Sequence, residues 1–280
     1  LQELARGEKD TPAPRASFFT WLHRRAYYSL LAALERKVYS NKKIFLAAVS
    51  QRTAGLLKEY FHREDVRVIP NGVDAEHFTP AARLERREQA RRRRGFADAE
   101  FVLLLIGNDW RVKGLPTVLE AMAAIPGSPL RLLVVGDDNA HPFQVRARKF
   151  GIEQRCLWER AQPDVLDFYA AADVYVSPSL EDSFGLPVAE AMACGLPAIT
   201  SIDAGVAAQI HDGVDGFVLP EPRDARTLAD QIERIRTDLE LRRRISEAAA
   251  RTSLEWTWNR NAAAVWDFLK MIEADRSAGS

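Results

Sequence analysis

Two carboxylates, Asp182 and Glu190, lie eight residues apart in the stretch from Ser177 to Pro197. A helix is predicted to begin near Pro187 in this stretch, because proline is favoured at the first position of a helix. The free N–H groups and the positive dipole end of a helix suit a phosphate. A carboxylate near the helix start repels the phosphate itself, but it can accept hydrogen bonds from a ribose diol set slightly aside. The two carboxylates are therefore predicted to bracket a ligand of phosphate and sugar.

Two cations stand in a second polar cluster, which runs from Gly107 to Gly114. Arg111 offers a planar fork of donors and Lys113 a point charge, so the pair suits a diphosphate. Two alternatives stay open at this stage. The cations can be solvated side chains of a loop, and Glu190 can be a structural residue that interacts with the positive end of its helix.

The chain from Phe101 onward alternates short apolar runs with segments of helical period, which is typical of parallel βαβ units. The predicted fold class is α/β, with a doubly wound Rossmann-like parallel sheet. Ligands of such sheets bind beyond the carboxyl ends of the strands, where both polar clusters fall. The predicted strands are 101–106, 130–135, 156–158, 174–176, 198–200 and 217–219, and the predicted helices are 115–124, 143–150, 165–172, 187–194, 206–211 and 225–238.

The first hundred residues have a different pattern, with too few elements for a complete open sheet. They are predicted to be the trailing part of a second Rossmann-like domain, and a chain that begins with Leu1 rather than Met suggests a missing natural N-terminus. The Asn71-Gly72 pair predicts a tight turn with positive φ values. The elements expected here are a basic helix at 18–39, a strand at 44–49, a helix at 51–61 and a strand at 66–69.

Composition favours an ordinary globular protein, with 47% apolar and 28% charged residues. The 39 basic and 39 acidic residues cancel, which gives no whole-chain argument for nucleic acid as a partner. Residues 1–63 nevertheless contain 12 Lys or Arg against 5 Asp or Glu, a composition that can contact an anionic surface. The arginine run Arg91 to Arg94 is interpreted as one face of a solvated helix, with anionic lipid or nucleic acid as the alternative.

The two cysteines, Cys156 and Cys194, lie in apolar runs and are predicted to be reduced and buried, as in a cytoplasmic protein. No apolar run approaches the roughly 20 residues needed to span a bilayer, so any membrane contact is expected to be peripheral. The five histidines show no metal-ligand spacing. Three tryptophans of the predicted helical tail, Trp256, Trp258 and Trp266, are expected to be buried by packing, although they could instead line a sugar site.

The stretch from Ser177 to Pro197 resembles the acidic-pair motif of the retaining GT-B glycosyltransferases of family 4, also called glycosyl transferases group 1. The segment Val68 to Asp74, followed by Phe78 and Pro80, resembles the passage from the acceptor domain to the donor domain of this family. Lys113-Gly114 resembles the diphosphate-binding lysine. Together the matches extend over most of the chain. The run from Gly107 to Gly114 and the turn at Ala204-Gly205-Val206 resemble, in weaker form, the lipopolysaccharide-core glucosyltransferase branch.

The resemblance implies catalytic roles for Asp182, near the donor sugar, and Glu190, on the nucleotide ribose, with Glu181 as the next candidate if the register slips. It implies no metal and no cofactor, because Arg111 and Lys113 neutralise the diphosphate. Many members have Arg where this chain has Asn108, so Arg111 is expected to replace that charge. The other donor-binding residues that the resemblance implies are Gly107, Ser183, Phe184, Gly185 and Leu186.

The domains that the resemblance implies are the trailing part of an acceptor-binding domain at 1–78, a sugar-nucleotide-binding domain at 79–255, and a C-terminal helix at 256–280 that packs back on the N-terminal part. The expected activity is transfer of a hexose from a nucleotide-diphosphate sugar to a saccharide or lipid-linked acceptor, in cell-surface polysaccharide or lipopolysaccharide synthesis. The alternatives are a GT-B-like UDP-GlcNAc epimerase and a non-catalytic nucleotide-sugar-binding fragment. A cytoplasmic location, with peripheral membrane contact through the basic N-terminal part, is expected.

Overall fold

The computed structural model describes residues 18–278, and within them the chain forms ten α-helices and eight β-strands. The strands are β1 (Leu46–Ala48), β2 (Val66–Val68), β3 (Phe101–Ile106), β4 (Leu130–Val135), β5 (Cys156–Glu159), β6 (Val174–Ser177), β7 (Ala198–Ser201) and β8 (Phe217–Leu219). The helices are α1 (Phe18–Tyr39), α2 (Gln51–Phe61), α3 (Pro80–Arg93), α4 (Leu115–Ala123), α5 (His141–Lys149), α6 (Leu166–Ala171), α7 (Leu186–Ala193), α8 (Ala225–Thr237), α9 (Leu239–Ser253) and α10 (Trp258–Ala278).

The chain divides into two compact units. The first ends at Ala47 and also includes Ala54–Arg67, and the second consists of Ala48–Thr53 and the chain from Val68 onward. The buried guanidinium of Arg63 holds the first unit together, because it donates to three backbone carbonyls and pairs with Asp65 at 2.7 Å. Strands β1 and β2 pair as a separate two-stranded sheet, so both strands predicted before residue 100 are confirmed.

A six-stranded parallel sheet with the order β5-β4-β3-β6-β7-β8 forms the centre of the second unit. Alternate residues of β3 face opposite sides: Val102 and Leu104 pack in one apolar layer, and Leu103 and Leu105 in the other. Helices α3, α6 and α7 contribute to the first layer, and α4 and α8 to the second. The prediction of a doubly wound α/β sheet is confirmed, and the strand order reverses between β3 and β6, where ligands of such sheets bind.

Helix α3 differs from the solvated helix that its arginines predicted. Arg91 is only 4% exposed, and Arg94 has a nearly buried side chain. Arg87 and Arg91 donate to the backbone carbonyls of Ala172 and Ala171, at the end of α6, where the negative helix end favours a cation. The solvated interpretation holds for Arg92 and Arg93 only, because an arginine every third or fourth residue builds a buried face as well as an exposed one.

The turn prediction at Asn71-Gly72 is wrong, because neither residue has a positive φ angle. A Cβ atom on Gly72 would lie 2.3 Å from the backbone nitrogen of Trp258. The glycine is therefore needed for the close approach of two backbone segments, which the sequence pattern did not indicate. Asn261 closes the same junction by donating from Nδ2 to the Pro70 carbonyl at 2.7 Å.

The expected burial of the tail tryptophans holds for one residue of three. Trp256 is buried, and its carbonyl accepts from the Val73 N–H at 2.7 Å, whereas Trp258 and Trp266 on α10 are 47% and 60% exposed. The cysteine prediction is also confirmed in part. Both cysteines are free; Cys194 is buried and Cys156 is half-buried. Burial raises the pKa of both thiols to about 12.

Candidate functional site

Two loops meet at the carboxyl ends of β3 and β6, where the order of the sheet reverses. The first runs from Gly107 to Gly114 and the second from Pro178 to Gly185. Leu180 donates from its backbone N–H to the Val112 carbonyl at 2.7 Å. Gly114 has φ 80°, and a Cβ atom there would lie 2.0 Å from the Pro178 carbonyl oxygen. Only glycine fits this junction, so the two polar clusters predicted from the sequence do come together.

The side chains of Lys113 and Asp182 form the central contact of the site, with 2.5 Å between Nζ and Oδ2. Both side chains are largely shielded from solvent. Gly107, with φ 142°, leaves room for the lysine, because a Cβ atom would lie 3.1 Å from Cε of Lys113. Arg111, in the same loop, is exposed.

The backbone of Asp182 is fixed from two directions. Its N–H donates to the Asp203 carbonyl at 3.1 Å, and its carbonyl accepts from the Gly205 N–H at 2.9 Å. The second carboxylate oxygen accepts from the Phe184 N–H at 3.2 Å. The aspartate is therefore rigidly presented, whereas the neighbouring Glu181 is exposed on the loop.

Helix α7 begins at Leu186, one residue before the predicted start. Gly185, with φ 97°, precedes it, and Pro187 occupies the second position. The first turn contains no acidic residue, because Glu190 lies in the second turn. The alternative interpretation of Glu190 as a first-turn partner of the helix dipole is therefore wrong. The first amides of a helix have no acceptor within it, so α7 offers free N–H groups at its start, directly after the loop that carries Asp182.

Glu190 is half-buried and accepts a hydrogen bond from the Tyr169 hydroxyl, with 2.6 Å to Oε2. Burial raises the pKa of the Glu190 carboxyl group, while the hydrogen bond from Tyr169 and the charge of His77 act in the opposite direction. A carboxylate held at one oxygen keeps lone pairs at the other for a hydroxyl donor.

Three supporting residues were missed at the sequence level. Tyr169 lies in an apolar run and carries no polar signal of its own. Ser50 donates from Oγ to the Ser183 carbonyl at 2.7 Å, and Arg52 pairs with Asp203 at 2.7 Å. Both precede their partners by more than 130 residues, so spacing along the chain could not reveal them.

The side chain of Asn108 has a structural task. Oδ1 accepts from the Asp137 N–H at 2.9 Å and so joins the loops after β3 and β4. Among residues 18–278, no group of three or more His, Cys, Asp or Glu side chains is placed to hold a metal ion. The expectation of a metal-free site stays a prediction.

The doubly wound sheet and the paired loops at its switch point define a Rossmann-like α/β fold with a candidate ligand site at that switch point. The model of the family "Glycosyl transferases group 1" matches residues 86–252. The chain belongs to this family, which confirms the family predicted from the acidic-pair motif.

Individual relatives agree with this membership. The D-inositol 3-phosphate glycosyltransferase of Xylanimonas cellulosilytica is 30% identical over 257 residues, which are 87% of this chain and 60% of that protein. The lipopolysaccharide glucosyltransferase WaaG of Escherichia coli is 28% identical over 79% of this chain and 61% of its own length. A crystal structure of WaaG, described as a glycosyltransferase involved in lipopolysaccharide biosynthesis, superposes with a TM-score of 0.79 at 25% identity, covering 94% of this chain and 70% of that one. The chain thus spans about 60% of the length of these curated relatives.

Proposed function

We propose that the protein is a retaining hexosyltransferase whose donor is a nucleotide-diphosphate sugar. The observation that carries this proposal is the contact between Lys113 and Asp182, in the loop that leads directly into the helix that bears Glu190. The paired loops supply one cation and one carboxylate, and the helix that follows supplies its N-terminus and the carboxylate of Glu190. These groups match a ligand with a diphosphate flanked by two polyols.

Each group has a separate role in the proposal. Lys113, with Arg111, neutralises the diphosphate, which also receives the free amides of Gly185 and Leu186 at the start of α7. Glu190 accepts hydrogen bonds from the ribose diol. Asp182 lies on the side of the donor sugar, and no metal or cofactor is required for charge neutralisation.

The chemical step exchanges one bond at the anomeric carbon for another on the same face. The bond from the anomeric carbon to the β-phosphate oxygen breaks, and a bond to the acceptor hydroxyl oxygen forms. The acceptor proton passes to an oxygen of the departing diphosphate, which is thereby released as the nucleoside diphosphate. The cations stabilise the negative charge that develops on the leaving group, which is the dominant form of electrostatic catalysis in such reactions.

The proposed acceptor is a saccharide or lipid-linked saccharide of the cell surface, by analogy with the named relatives. The proposed location is the cytoplasm, with peripheral contact at the inner face of the membrane. No helix among residues 18–278 is long and apolar enough to cross a bilayer.

Helix α1 supports the peripheral contact. Tyr27, Leu30, Leu34 and Val38 recur at helical spacing and are all exposed, between 46% and 60%. Basic side chains that follow the stripe, including exposed Lys42 and Lys43, are suited to anionic headgroups. Sedimentation with phosphatidylglycerol vesicles is expected to remove more protein from solution than phosphatidylcholine vesicles, and Leu30→Glu with Leu34→Glu is expected to abolish the difference. Equal sedimentation with both lipids would contradict the contact.

A thermal-shift panel of UDP- and GDP-sugars tests the donor class, because a ligand raises stability with the logarithm of its excess over Kd. Calorimetry with the best nucleotide then compares Glu190→Ala with Glu88→Ala, a control whose exposed carboxylate pairs with Arg92 on the surface of α3. Loss of a charged hydrogen bond predicts a Kd that rises about tenfold to a hundredfold for Glu190→Ala. An unchanged Kd would overturn the ribose assignment. Formation of the epimer from UDP-GlcNAc without acceptor, followed by NMR, would instead indicate an epimerase.

A further inference from the structure

The hydroxyl group of Tyr169 lies between two acceptors that belong to α7. It is 2.6 Å from Oε2 of Glu190 and 3.2 Å from the carbonyl oxygen of Pro187. Tyr169 belongs to α6 and is completely buried. Helix α6 lies outside the two loops of the site, yet through Tyr169 it contacts Glu190, the carboxylate assigned to the ribose.

Packing alone does not account for this hydroxyl group. The ring of Tyr169 meets Phe78 edge-on at 5.8 Å and Tyr175 at 6.3 Å, contacts that a phenylalanine would make equally well. A buried hydroxyl costs free energy unless it is hydrogen-bonded. The cost is offset at this position by one acceptor that belongs to the candidate site and one that belongs to the first turn of α7.

The single hydroxyl proton satisfies both protonation states of Glu190. When Glu190 is ionised, the proton points to Oε2, the nearer acceptor, and Oε1 stays available for a ligand. When Glu190 is protonated, its own O–H donates to the tyrosine oxygen, and the tyrosine proton turns to the Pro187 carbonyl. The carboxyl group is anchored through the same atom in both states, so its direction does not change.

We propose that Tyr169 is a positioning residue, which aims the free oxygen of Glu190 at the ribose diol of the nucleotide. The inference rests on the proposed function and names a further residue of that same site. The other titratable groups whose charge bears on Glu190 or its partner are His77, Tyr175 and Cys194. Among these three, no hydrogen bond to the Glu190 carboxylate is formed; the anchoring contact comes from Tyr169.

Tyr169→Phe removes the hydroxyl and keeps the ring. Tyr175→Phe is the matched control, because Tyr175 is equally buried and its hydroxyl donates to the Ile106 carbonyl at 3.3 Å rather than to the Glu190 carboxylate. The readout is the ratio of affinities for UDP and 2′,3′-dideoxy-UDP, or for the guanosine pair if GDP binds more tightly. The preference for UDP over the dideoxy analogue is expected to fall about three- to tenfold in Tyr169→Phe. It is expected to stay unchanged in Tyr175→Phe, although each variant loses one buried hydrogen bond.

Glu190→Ala, alone and combined with Tyr169→Phe, distinguishes a failure of the positioning role of Tyr169 from a failure of the ribose assignment of Glu190. If Glu190→Ala collapses the ratio while Tyr169→Phe leaves it intact, the positioning role is wrong and the proposed function stands. If Glu190→Ala has no effect either, the ribose assignment fails and takes the role of Tyr169 with it. A double variant no worse than Glu190→Ala is the expected result.

Replacement of Tyr169 by 3-fluorotyrosine covers the case in which Tyr169→Phe does not fold. The fluorinated phenol is a stronger donor, so it stabilises the Glu190 carboxylate and moves the acid limb of the binding profile for the nucleotide sugar to lower pH. A purely structural tyrosine would leave that limb in place, and this result would overturn the proposal.

Discussion

The amine of Lys113 lies 2.5 Å from Oδ2 of Asp182, so the cation assigned to the diphosphate is already paired before any ligand is considered. A diphosphate that takes the same amine must compete with this carboxylate. The pair therefore keeps the lysine extended across Gly107 and also weakens its attraction for anions. The two consequences predict opposite effects for substitutions at the two positions.

Lys113→Ala is expected to weaken UDP or GDP binding by about tenfold to a hundredfold, the range for a lost hydrogen bond to a charged group. The corresponding nucleoside monophosphate should lose less, because the amine is assigned to the diphosphate. Calorimetry at fixed ionic strength measures both. Lys149→Ala is the control, since Lys149 is exposed at the end of α5. An equal loss for the mono- and diphosphate would contradict the assignment.

Asp182→Asn is expected to separate binding from turnover. The substitution removes a negative charge beside the phosphate site and frees Lys113, so UDP should bind about two- to tenfold more tightly, a change consistent with a partly shielded charge pair. Transfer should nevertheless fall, because the aspartate is assigned to the donor sugar. Glu181→Gln, on the adjacent exposed residue, should change neither quantity. Weaker UDP binding in Asp182→Asn would show that Lys113 depends on the aspartate for its position.

Glu190→Gln is expected to stabilise the ligand-free protein at neutral pH while it weakens the ligand complex. Burial raises the pKa of Glu190, so the carboxyl group favours folding when protonated, and this contribution is lost as pH rises through the raised pKa. Glutamine stays neutral at every pH and keeps an acceptor for the Tyr169 hydroxyl.

Melting curves at neutral pH and at a pH below the ordinary range of glutamate measure this effect. The variant should melt higher than the wild type at neutral pH, and the two should converge in acid. In the same variant the affinity for a nucleotide sugar, which lacks the titrating terminal phosphate of UDP, should lose its acid limb. A lower melting temperature of Glu190→Gln than of the wild type at neutral pH would show that the ionised carboxylate of Glu190 does not destabilise the fold.

The sheet and the proximity of its two polar loops could both be predicted from the sequence, because both follow from patterns within single segments of the chain. Fully apolar runs such as β3 identify strands buried on both faces, and parallel topology places their carboxyl ends at one edge. Pro187 marked the start of α7, although its exact first residue was missed by one. The error mattered, because it had placed Glu190 in the first turn.

The remaining features depend on contacts between segments distant along the chain. Tyr169 reads as a core aromatic residue until its hydroxyl is seen at Glu190, 21 positions later. Gly72 reads as a turn residue until the backbone at Trp258 is seen against it. Neither residue type nor spacing encodes such pairings, since a hydrogen bond or a close approach is a property of two segments rather than one.

The arginines of α3 provide the sharpest test of what residue type alone conceals. Arg91 and Arg92 are neighbours in one run, yet Arg91 is buried and Arg92 is exposed. Arg91 donates to the carbonyls of Ala171, Ala97 and Glu100 and pairs with Asp173 at 3.1 Å. Its loss removes the donor to the buried carbonyl of Ala171, whereas Asp173 keeps its contacts with Arg87 and with the Val102 N–H.

Arg91→Met is therefore expected to lower the free energy of unfolding by about 1–3 kcal/mol, the range for a buried acceptor left without its donor, because Asp173 keeps its pair with Arg87. Arg92→Met breaks only an exposed pair with Glu88, one turn away on the same helix, and should cost about 0.5 kcal/mol or less. Urea unfolding of the two variants measures the difference, and both should retain the wild-type m-value because the exposed area on unfolding is unchanged. Equal losses of stability in the two variants would mean that the buried hydrogen bonds of Arg91 do not stabilise the fold.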